Sequence, residues 1–289
     1  MKKNCTTSVF ISLLMMAIVF LSSCNTGLKE NEKATENETP IKTEVRKIEE
    51  GQKPSPEEVL VMLKEGNERF YSGNSVFPNT DSTRLALAGS KNQGDYAYAT
   101  VISCSDSRVP VEMIFDAGIM DVFVIRVAGN VCDTDEIGSI EYGLAHVNTP
   151  VFVMLGHTQC GAVTAVTQAM TGHGHPLERN IPPLVDNIKP AVQKTLESHE
   201  DAETEELIPY AIEANIWQGI HDLFMESPAT RTLVKEEKVK VVGAIYDVGT
   251  GKIEWLPEEK VNDILLAVEK DPERAMEAMA GEFEKEAAH

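Results

Sequence analysis

The sequence predicts an α/β fold with a central, mainly parallel β-sheet flanked by helices. Three apolar runs rich in β-branched residues, at 97–103, 122–127 and 151–155, are typical of buried strands. They are separated by segments with helical patterning, such as 135–147. Because strands that alternate with helices pair as parallel sheets, this order of elements predicts the fold class.

Composition supports one large folded domain and excludes several classes of function. The chain has 289 residues, of which 42% are hydrophobic, and this is enough for a sizeable core. The formal net charge of −20 argues against a nucleic-acid partner, because no electrostatic attraction to a polyanion is available. The cysteines number 5 and are scattered, unlike the dense pattern of a disulfide-stapled domain.

The amino terminus predicts export and a lipid anchor. Two lysines precede an apolar run at 9–21, which is shorter than the roughly 20 residues needed to cross a bilayer. The run ends in Leu21-Ser22-Ser23-Cys24, which resembles the lipobox of bacterial lipoproteins. We therefore expect residues 1–23 to be a signal peptide and Cys24 to carry the lipid, which places the protein at the cell envelope, on the periplasmic face or at the outer membrane. An ordinary signal peptide with a chance cysteine is the alternative.

Residues 24–52 are expected to form a flexible acidic tether, because they are nearly free of large apolar side chains. Ser55-Pro56-Glu57-Glu58 then provides an N-cap, a proline at the first helical position and a capping glutamate, so a helix begins here. Its apolar face should carry Val59, Leu60, Leu63 and Phe70, and it should end near Gly73. The rest of the chain, 53–289, is expected to be one domain.

Helices are also expected over 181–226 and 258–287. Between them, 239–246 predicts a fourth strand. An edge strand at 253–256 should pair with it through a turn at Gly249-Thr250-Gly251.

Two clusters of side chains that bind soft metals follow predicted strands. Cys104-Ser105-Asp106-Ser107-Arg108 begins where the first run ends, and His157-Thr158-Gln159-Cys160-Gly161 follows the third. Carboxyl ends of parallel strands share one edge of a sheet, so the clusters meet if the strands are neighbours. Cys104, His157 and Cys160 then form a Cys₂His set that suits zinc and leaves a fourth position open, as in catalytic sites. The H-x-x-C spacing predicts that His157 and Cys160 lie one helical turn apart.

The first cluster also predicts an ion pair. In an extended segment Cys104, Asp106 and Arg108 point to the same side, so Arg108 can hold the Asp106 carboxylate in a bidentate pair. Asp106 can accept a hydrogen bond from a group at the open metal position, or occupy that position itself in a closed state. We expect acidic pH to favour the closed state.

The motifs C-S-D-S-R-V-P at 104–110 and G-H-T-Q-C-G at 156–161 resemble the two signatures of the β-class carbonic anhydrases. The resemblance implies reversible hydration of CO₂ to bicarbonate, one zinc ion per subunit, and a homodimer or tetramer whose active cleft is shared between subunits. The implied site residues are the zinc ligands Cys104, His157 and Cys160, the catalytic pair Asp106 and Arg108, and the substrate positions Phe123, Tyr142 and Gly161.

Two positions depart from the family pattern. Asp95 stands where the family usually has a glutamine, and Gln93 lies two residues earlier. Val101 replaces a tryptophan that in some members forms an inhibitory bicarbonate pocket with an arginine, matched here by Arg126. We therefore expect that pocket to be absent.

Three alternatives use the same residues. The scaffold could hydrolyse a CO₂ analogue such as COS or CS₂, or serve as a non-catalytic zinc-binding module on the cell surface. A disulfide between Cys104 and Cys160 would destroy the metal site. Elsewhere, Cys132 is expected to be a buried thiol, and His173 and His175 are expected to be exposed loop residues rather than a second metal site.

Overall fold

The computed structural model describes residues 45–279, and in them five strands form one sheet in the order β2-β1-β3-β4-β5. The strands are β1 (Ala99–Ser103), β2 (Val122–Arg126), β3 (Val151–His157), β4 (Lys240–Tyr246) and β5 (Ile253–Trp255). The first four run parallel, and β5 is antiparallel to β4. The predicted fold class and the predicted edge hairpin are both confirmed.

Helices cover both faces of this sheet. They are α1 (Pro56–Tyr71), α2 (Ser82–Ala88), α3 (Val111–Ile114), α4 (Thr134–Glu141), α5 (Gly161–Met170), α6 (Ile181–Asp186), α7 (Lys189–Ser198), α8 (Thr204–Glu226), α9 (Pro228–Lys235) and α10 (Glu258–Val268). A π-helical turn, Tyr142–His146, continues α4, and short 3₁₀ turns occupy Gln93–Asp95 and Ala128–Asn130.

The sheet separates two apolar clusters because successive strand residues point to opposite faces. Val101 and Val153 pack with Leu63 of α1 on one face. On the other face, Ile102 packs with Ile216 of α8. The central strand β3 is buried along its whole length, which explains its continuous apolar run.

The first helix forms as its sequence predicts. The Ser55 side chain accepts from the backbone N–H of Glu58, and the Glu58 side chain accepts from the backbone N–H of Ser55, so the capping box is complete. The helix ends at Tyr71, just before Gly73, which has a φ of 75°. Its predicted apolar face is buried or partly buried against the sheet.

Two helical predictions are wrong in extent. The helical stretch 181–226 is interrupted twice and so forms three helices, and the second has Pro190 in its first turn, where proline fits, unlike in a helix interior. The predicted helix at 258–287 ends at Val268. Pro272 follows shortly after, and the residue before a proline is disfavoured in helical geometry.

Part of the predicted tether contacts the folded domain. Residues 45–52 form no helix or strand, but the backbone N–H of Gly51 donates to the carbonyl of Asp95 at 3.1 Å. Ile48 packs against the apolar cluster beneath α1, and Glu50 pairs with Lys91 at 2.7 Å. The predicted signal peptide and Cys24 lie outside the described residues. Among the helices that are described, none combines the length and the hydrophobicity needed to cross a membrane.

Candidate metal centre

The two soft-ligand clusters meet at the carboxyl edge of the sheet. Strands β1 and β3 are hydrogen-bonded neighbours, with Ser103 opposite Leu155. Cys104 directly follows β1, and His157 is the last residue of β3. The Sγ atoms of Cys104 and Cys160 and a ring nitrogen of His157 all lie within 4.8 Å of one another, and all three residues are buried. The predicted convergence is therefore present in the fold.

His157 is the last residue of strand β3 and does not lie in a helix. The prediction that His157 and Cys160 are one helical turn apart is therefore wrong. A turn at Thr158 and Gln159 separates them, with Gln159 in the left-handed region at a φ of 59°, and Cys160 is the N-cap of α5. The Nδ1 of His157 lies 2.9 Å from the carbonyl of Thr158. Since a carbonyl only accepts, Nδ1 carries the proton and Nε2 keeps its lone pair.

This lone pair has no partner from the protein. His157 is fully buried, and its Nε2 makes no hydrogen bond within the described residues. A buried polar atom without a partner is costly unless a ligand completes it. Two thiol sulfurs and an imidazole nitrogen are the donor set that zinc prefers, so the residues fit a zinc ion.

The two thiols hold opposite protonation states when no metal is bound. The pKa of Cys104 is lowered to about 4, mainly because the Cys160 thiol donates a hydrogen bond to its sulfur. The backbone N–H of Gly129 also donates to Cys104 Sγ, at 3.3 Å. The pKa of Cys160 is raised, first because its proton is held by Cys104 and second because it is buried. The pair thus carries one negative charge, next to the free imidazole nitrogen.

Asp106 and Arg108 form the predicted bidentate pair. The Arg108 Nε and Nη2 atoms donate to the two carboxylate oxygens of Asp106 at 3.0 and 2.7 Å. These bonds hold the pKa of Asp106 well below its usual range. Arg108 also donates to the side chain and the backbone carbonyl of Gln159, both at 3.1 Å. Asp106 therefore faces Arg108, and the closed state in which Asp106 binds the metal stays a prediction.

Arg126 has a role that the sequence did not indicate. It is the last residue of β2, and it donates to the backbone carbonyls of Cys104 at 3.2 Å and Asp106 at 2.6 Å. It thus holds the loop that carries the first cluster. Val101, at the position of the family tryptophan, is fully buried within the apolar cluster of α1.

The remaining substrate positions are only partly brought to the metal centre. Gly161 directly follows Cys160 and opens α5, with free space where a side chain would lie. Phe123 instead pairs in register with Thr100, near the start of β1, and its ring centroid lies 6.0 Å from that of Tyr142. Gln93 and Asp95 lie before the amino end of β1. Within one chain, the fold therefore does not place Phe123 or Gln93 at the metal edge.

Other candidate residues behave as the sequence predicts. Cys132 is a free, buried thiol, and burial raises its pKa further. His173 and His175 are exposed. In the described part of the chain, Cys104, His157 and Cys160 form the only group of three or more His, Cys, Asp or Glu side chains able to hold a metal ion.

Comparisons with known proteins agree on one family. The family model described as carbonic anhydrase matches residues 99–253. Carbonic anhydrase 2 of Mycobacterium tuberculosis is 46% identical over 109 residues, which are 37% of this chain and 51% of that protein, so the match spans about half of the relative's length. The carbonic anhydrase of Mycolicibacterium smegmatis is 31% identical over 196 residues, which are 66% of this chain and 89% of that protein.

Solved structures show the same fold. The β-carbonic anhydrase CafA of Aspergillus fumigatus superposes with a TM-score of 0.53 at 25% identity, covering 74% of this chain and 99% of that one. A β-carbonic anhydrase of Sordaria macrospora, described as tetrameric, gives a TM-score of 0.50 at 28% identity, covering 60% of this chain and 84% of that one.

Proposed function

Because this chain belongs to the β-class carbonic anhydrase family, we propose that it catalyses the reversible hydration of carbon dioxide to bicarbonate and a proton. One observation carries the proposal. A buried Cys₂His group, whose imidazole nitrogen lacks a protein partner, lies at the same sheet edge as a carboxylate held by an arginine.

We propose zinc as the metal, one ion per chain, held by Sγ of Cys104, Nε2 of His157 and Sγ of Cys160. When bound, zinc supplies a Lewis acid that lowers the pKa of water towards about 7. The remaining tasks fall to the protein. It must keep three donors together, fix the orientation of the nucleophile and leave one position accessible.

Asp106 supplies the orientation. Arg108 keeps its carboxylate ionised at neutral pH and fixes its direction through two parallel bonds. An ionised carboxylate accepts a hydrogen bond from the nucleophile and so directs the nucleophile's remaining lone pair towards the carbon of CO₂. Gln159 and Arg126 hold the two partners of this pair in place.

The test is a stopped-flow CO₂ hydration assay on the full chain. We expect activity and one zinc per chain by elemental analysis, and we expect both to be lost after chelation and in His157→Ala. His173→Ala, a change of an exposed loop histidine, should retain both. Full activity in the chelated protein, or in His157→Ala, would overturn the assignment.

We further propose that the chain works as a homodimer, or as a tetramer of two dimers. In the described sheet β2 is an edge strand, and its apolar residues Val122–Ile125 are only half-buried. Tyr142, beside Phe123, is 51% exposed. Pairing of two copies at this edge would cover these side chains and bring Phe123 and Tyr142 of one protomer towards the cleft of its partner. Light scattering coupled to size exclusion measures the assembly, and a monomeric active enzyme would contradict the shared cleft.

For location we propose the cell envelope, through a lipid on Cys24. The support is the apolar run at 9–21 and the cysteine placed directly after it. In a bacterial host, the wild-type chain should fractionate with membranes, and Cys24→Ser should not. Cys132→Ser serves as the matched control, because that thiol lies in the folded core. Membrane fractionation of Cys24→Ser would disprove the anchor.

A further inference from the structure

The 3₁₀ turn Ala128–Asn130 lies against one of the proposed zinc ligands. The backbone N–H of Gly129 donates to Cys104 Sγ at 3.3 Å. Gly129 and Asn130 both have left-handed backbone geometry, with φ angles of 78° and 44°. This left-handed conformation is uncommon, above all for a non-glycine residue such as Asn130, so contacts around the turn must hold it.

Asn215 of α8 holds this turn through a direct hydrogen bond. It lies on α8 and is 3% exposed, and its Nδ2 donates to the carbonyl of Gly129 at 2.8 Å. Its neighbours along the helix, Ile212 and Ile216, are apolar and buried. A buried amide in apolar surroundings is costly unless it is hydrogen-bonded. The bond to Gly129 offsets this cost for Asn215.

The turn is also enclosed by close packing. A Cβ on Gly129 would lie 2.7 Å from Cδ1 of Ile188 and 3.1 Å from Cβ of Ala162. The backbone of α8 approaches the turn at Gly219, where an added Cβ would lie 3.7 Å from the carbonyl oxygen of Asn130. The turn is therefore packed against residues of α5 and α8 and against Ile188, and Asn215 is its polar contact with α8.

We propose that Asn215 is a positioning residue of the metal centre, which holds Gly129 so that its N–H stays on the Cys104 sulfur. The inference rests on the proposed function, in which Cys104 is a zinc ligand. A hydrogen bond to a thiolate withdraws electron density from the sulfur and fixes its orientation, and such outer contacts tune both the affinity and the electronic properties of a metal site. Nothing in this role requires Asn215 to touch the substrate.

The experiment uses the full chain loaded with Co²⁺ in place of zinc, because a cobalt–thiolate site has a sulfur-to-metal charge-transfer band. In Asn215→Leu the sulfur should become more electron-rich, so the band should move to longer wavelength. Metal affinity, measured by competition with a chromophoric chelator, should fall about tenfold. Gln218→Leu is the matched control: the same chemical change on the same helix, at a buried amide that bonds Lys194 and Asp222 instead. It should leave the band and the affinity unchanged.

A second variant keeps the test decisive if Asn215→Leu does not fold. Asn215→Asp keeps the side-chain shape but replaces the N–H donor by an oxygen, so it should shift the band in the same direction. If the folded Asn215 variants keep the wild-type band, the role proposed for Asn215 is overturned, whereas the proposed function is not affected. Absence of a thiolate-to-cobalt band in the wild type would instead overturn the proposed metal site.

Discussion

At the scale of single residues, substitutions in the Asp106–Arg108 pair test two contributions separately, namely the charge of the carboxylate and the geometry of its two hydrogen bonds. Asp106→Asn keeps the size of the side chain but loses the negative charge that accepts from the nucleophile. We expect kcat/KM for CO₂ hydration to fall about 100-fold, as when one preorganised electrostatic contact is removed from an active site. Arg108→Lys keeps the charge but not the two parallel bonds, and we expect a loss of about 10-fold.

The matched control for this prediction is Arg179→Lys, the same change at an exposed arginine of the loop before α6. It should leave kcat/KM unchanged. If Asp106→Asn retained wild-type kcat/KM, Asp106 would have no part in orienting the nucleophile.

The two thiols of the metal centre predict how the stability of the zinc-free, reduced protein depends on pH. With a folded pKa of about 4, Cys104 is a thiolate in the native state, whereas the unfolded chain keeps this proton until about pH 8.5. Because the unfolded state binds more protons in this window, the free energy of unfolding should rise with pH from about 5 to about 8.5. Above that pH the sign reverses, since the unfolded chain loses the Cys160 proton that the native state retains.

Urea unfolding of chelator-treated protein at several pH values measures this maximum. Cys104→Ala removes the lowered pKa and should abolish the rise below pH 8.5. A wild-type stability that is flat across this window would show that Cys104 is not an anion in the metal-free fold.

The sequence predicts the three proposed ligands but not the residues that hold them. Cys104, His157 and Cys160 fall in two short motifs at strand ends, and the rule for parallel sheets brings such motifs together. Gly129 and Asn215 act through contacts that span 25 and 86 positions along the chain. No local pattern encodes such distances, although a lone amide within the apolar stretch around Ile212 and Ile216 is the signal that a polar contact is needed there.

At the scale of elements, Asn67 connects three parts of the structure. It is buried on α1, and its Nδ2 donates to the carbonyls of Ile114 and Gly251 at 3.2 and 2.8 Å. Its Oδ1 accepts from the backbone N–H of Ile253 at 3.0 Å. Asn67→Ala would leave these backbone groups without their partner, so we expect the free energy of unfolding to fall by about 2–4 kcal/mol.

Equilibrium unfolding in urea measures this loss. Asn74→Ala, the same change at an exposed asparagine with local bonds only, should cost less than about 0.5 kcal/mol. Equal stabilities of the two variants would show that α1 does not anchor the β4–β5 hairpin through Asn67.

Helices and strands could be predicted from the sequence where a single local pattern is strong. The capping box at Ser55 and the apolar runs of the strands locate α1 and the sheet because they are local and strong. The break at 187–188 was not predicted, since apolar residues continue on both sides of it. The break at 199–203 lies within a run of charged residues, and there the chain turns to pack α7 against α8. Tertiary packing thus decides where the helical stretch divides.

At the scale of the whole molecule, the structure moves the beginning of the domain towards the amino terminus. Composition alone assigns residues 45–52 to a tether, because their charged side chains outnumber the apolar ones. Yet Ile48 packs under α1, and the backbone N–H of Gly51 donates to the carbonyl of Asp95. One half-buried isoleucine is too weak a periodic signal to predict such docking from sequence.

A comparison of two shortened chains tests this boundary. A chain that starts at Lys53 loses the packing of Ile48 and the bond from Gly51 to Asp95, whereas one that starts at Val45 keeps both. We expect the shorter chain to be less stable by about 1–2 kcal/mol, with a Tm lower by about 2–8 °C. The exposed pairs of this segment, such as Glu50 with Lys91, should contribute little of that difference.

Activity should not follow stability in this comparison. None of the described bonds around Cys104, Asp106 or His157 involves residues 45–52, so both shortened chains should hydrate CO₂ with equal kcat/KM well below their Tm. Ile48→Ser in the longer chain should reproduce most of the stability loss, because it removes the apolar contact and keeps the backbone. Calorimetry gives the Tm values. Identical Tm values for the two shortened chains would show that residues 45–52 are part of the tether. A lower kcat/KM in the shorter chain would show that this segment contributes to the active site.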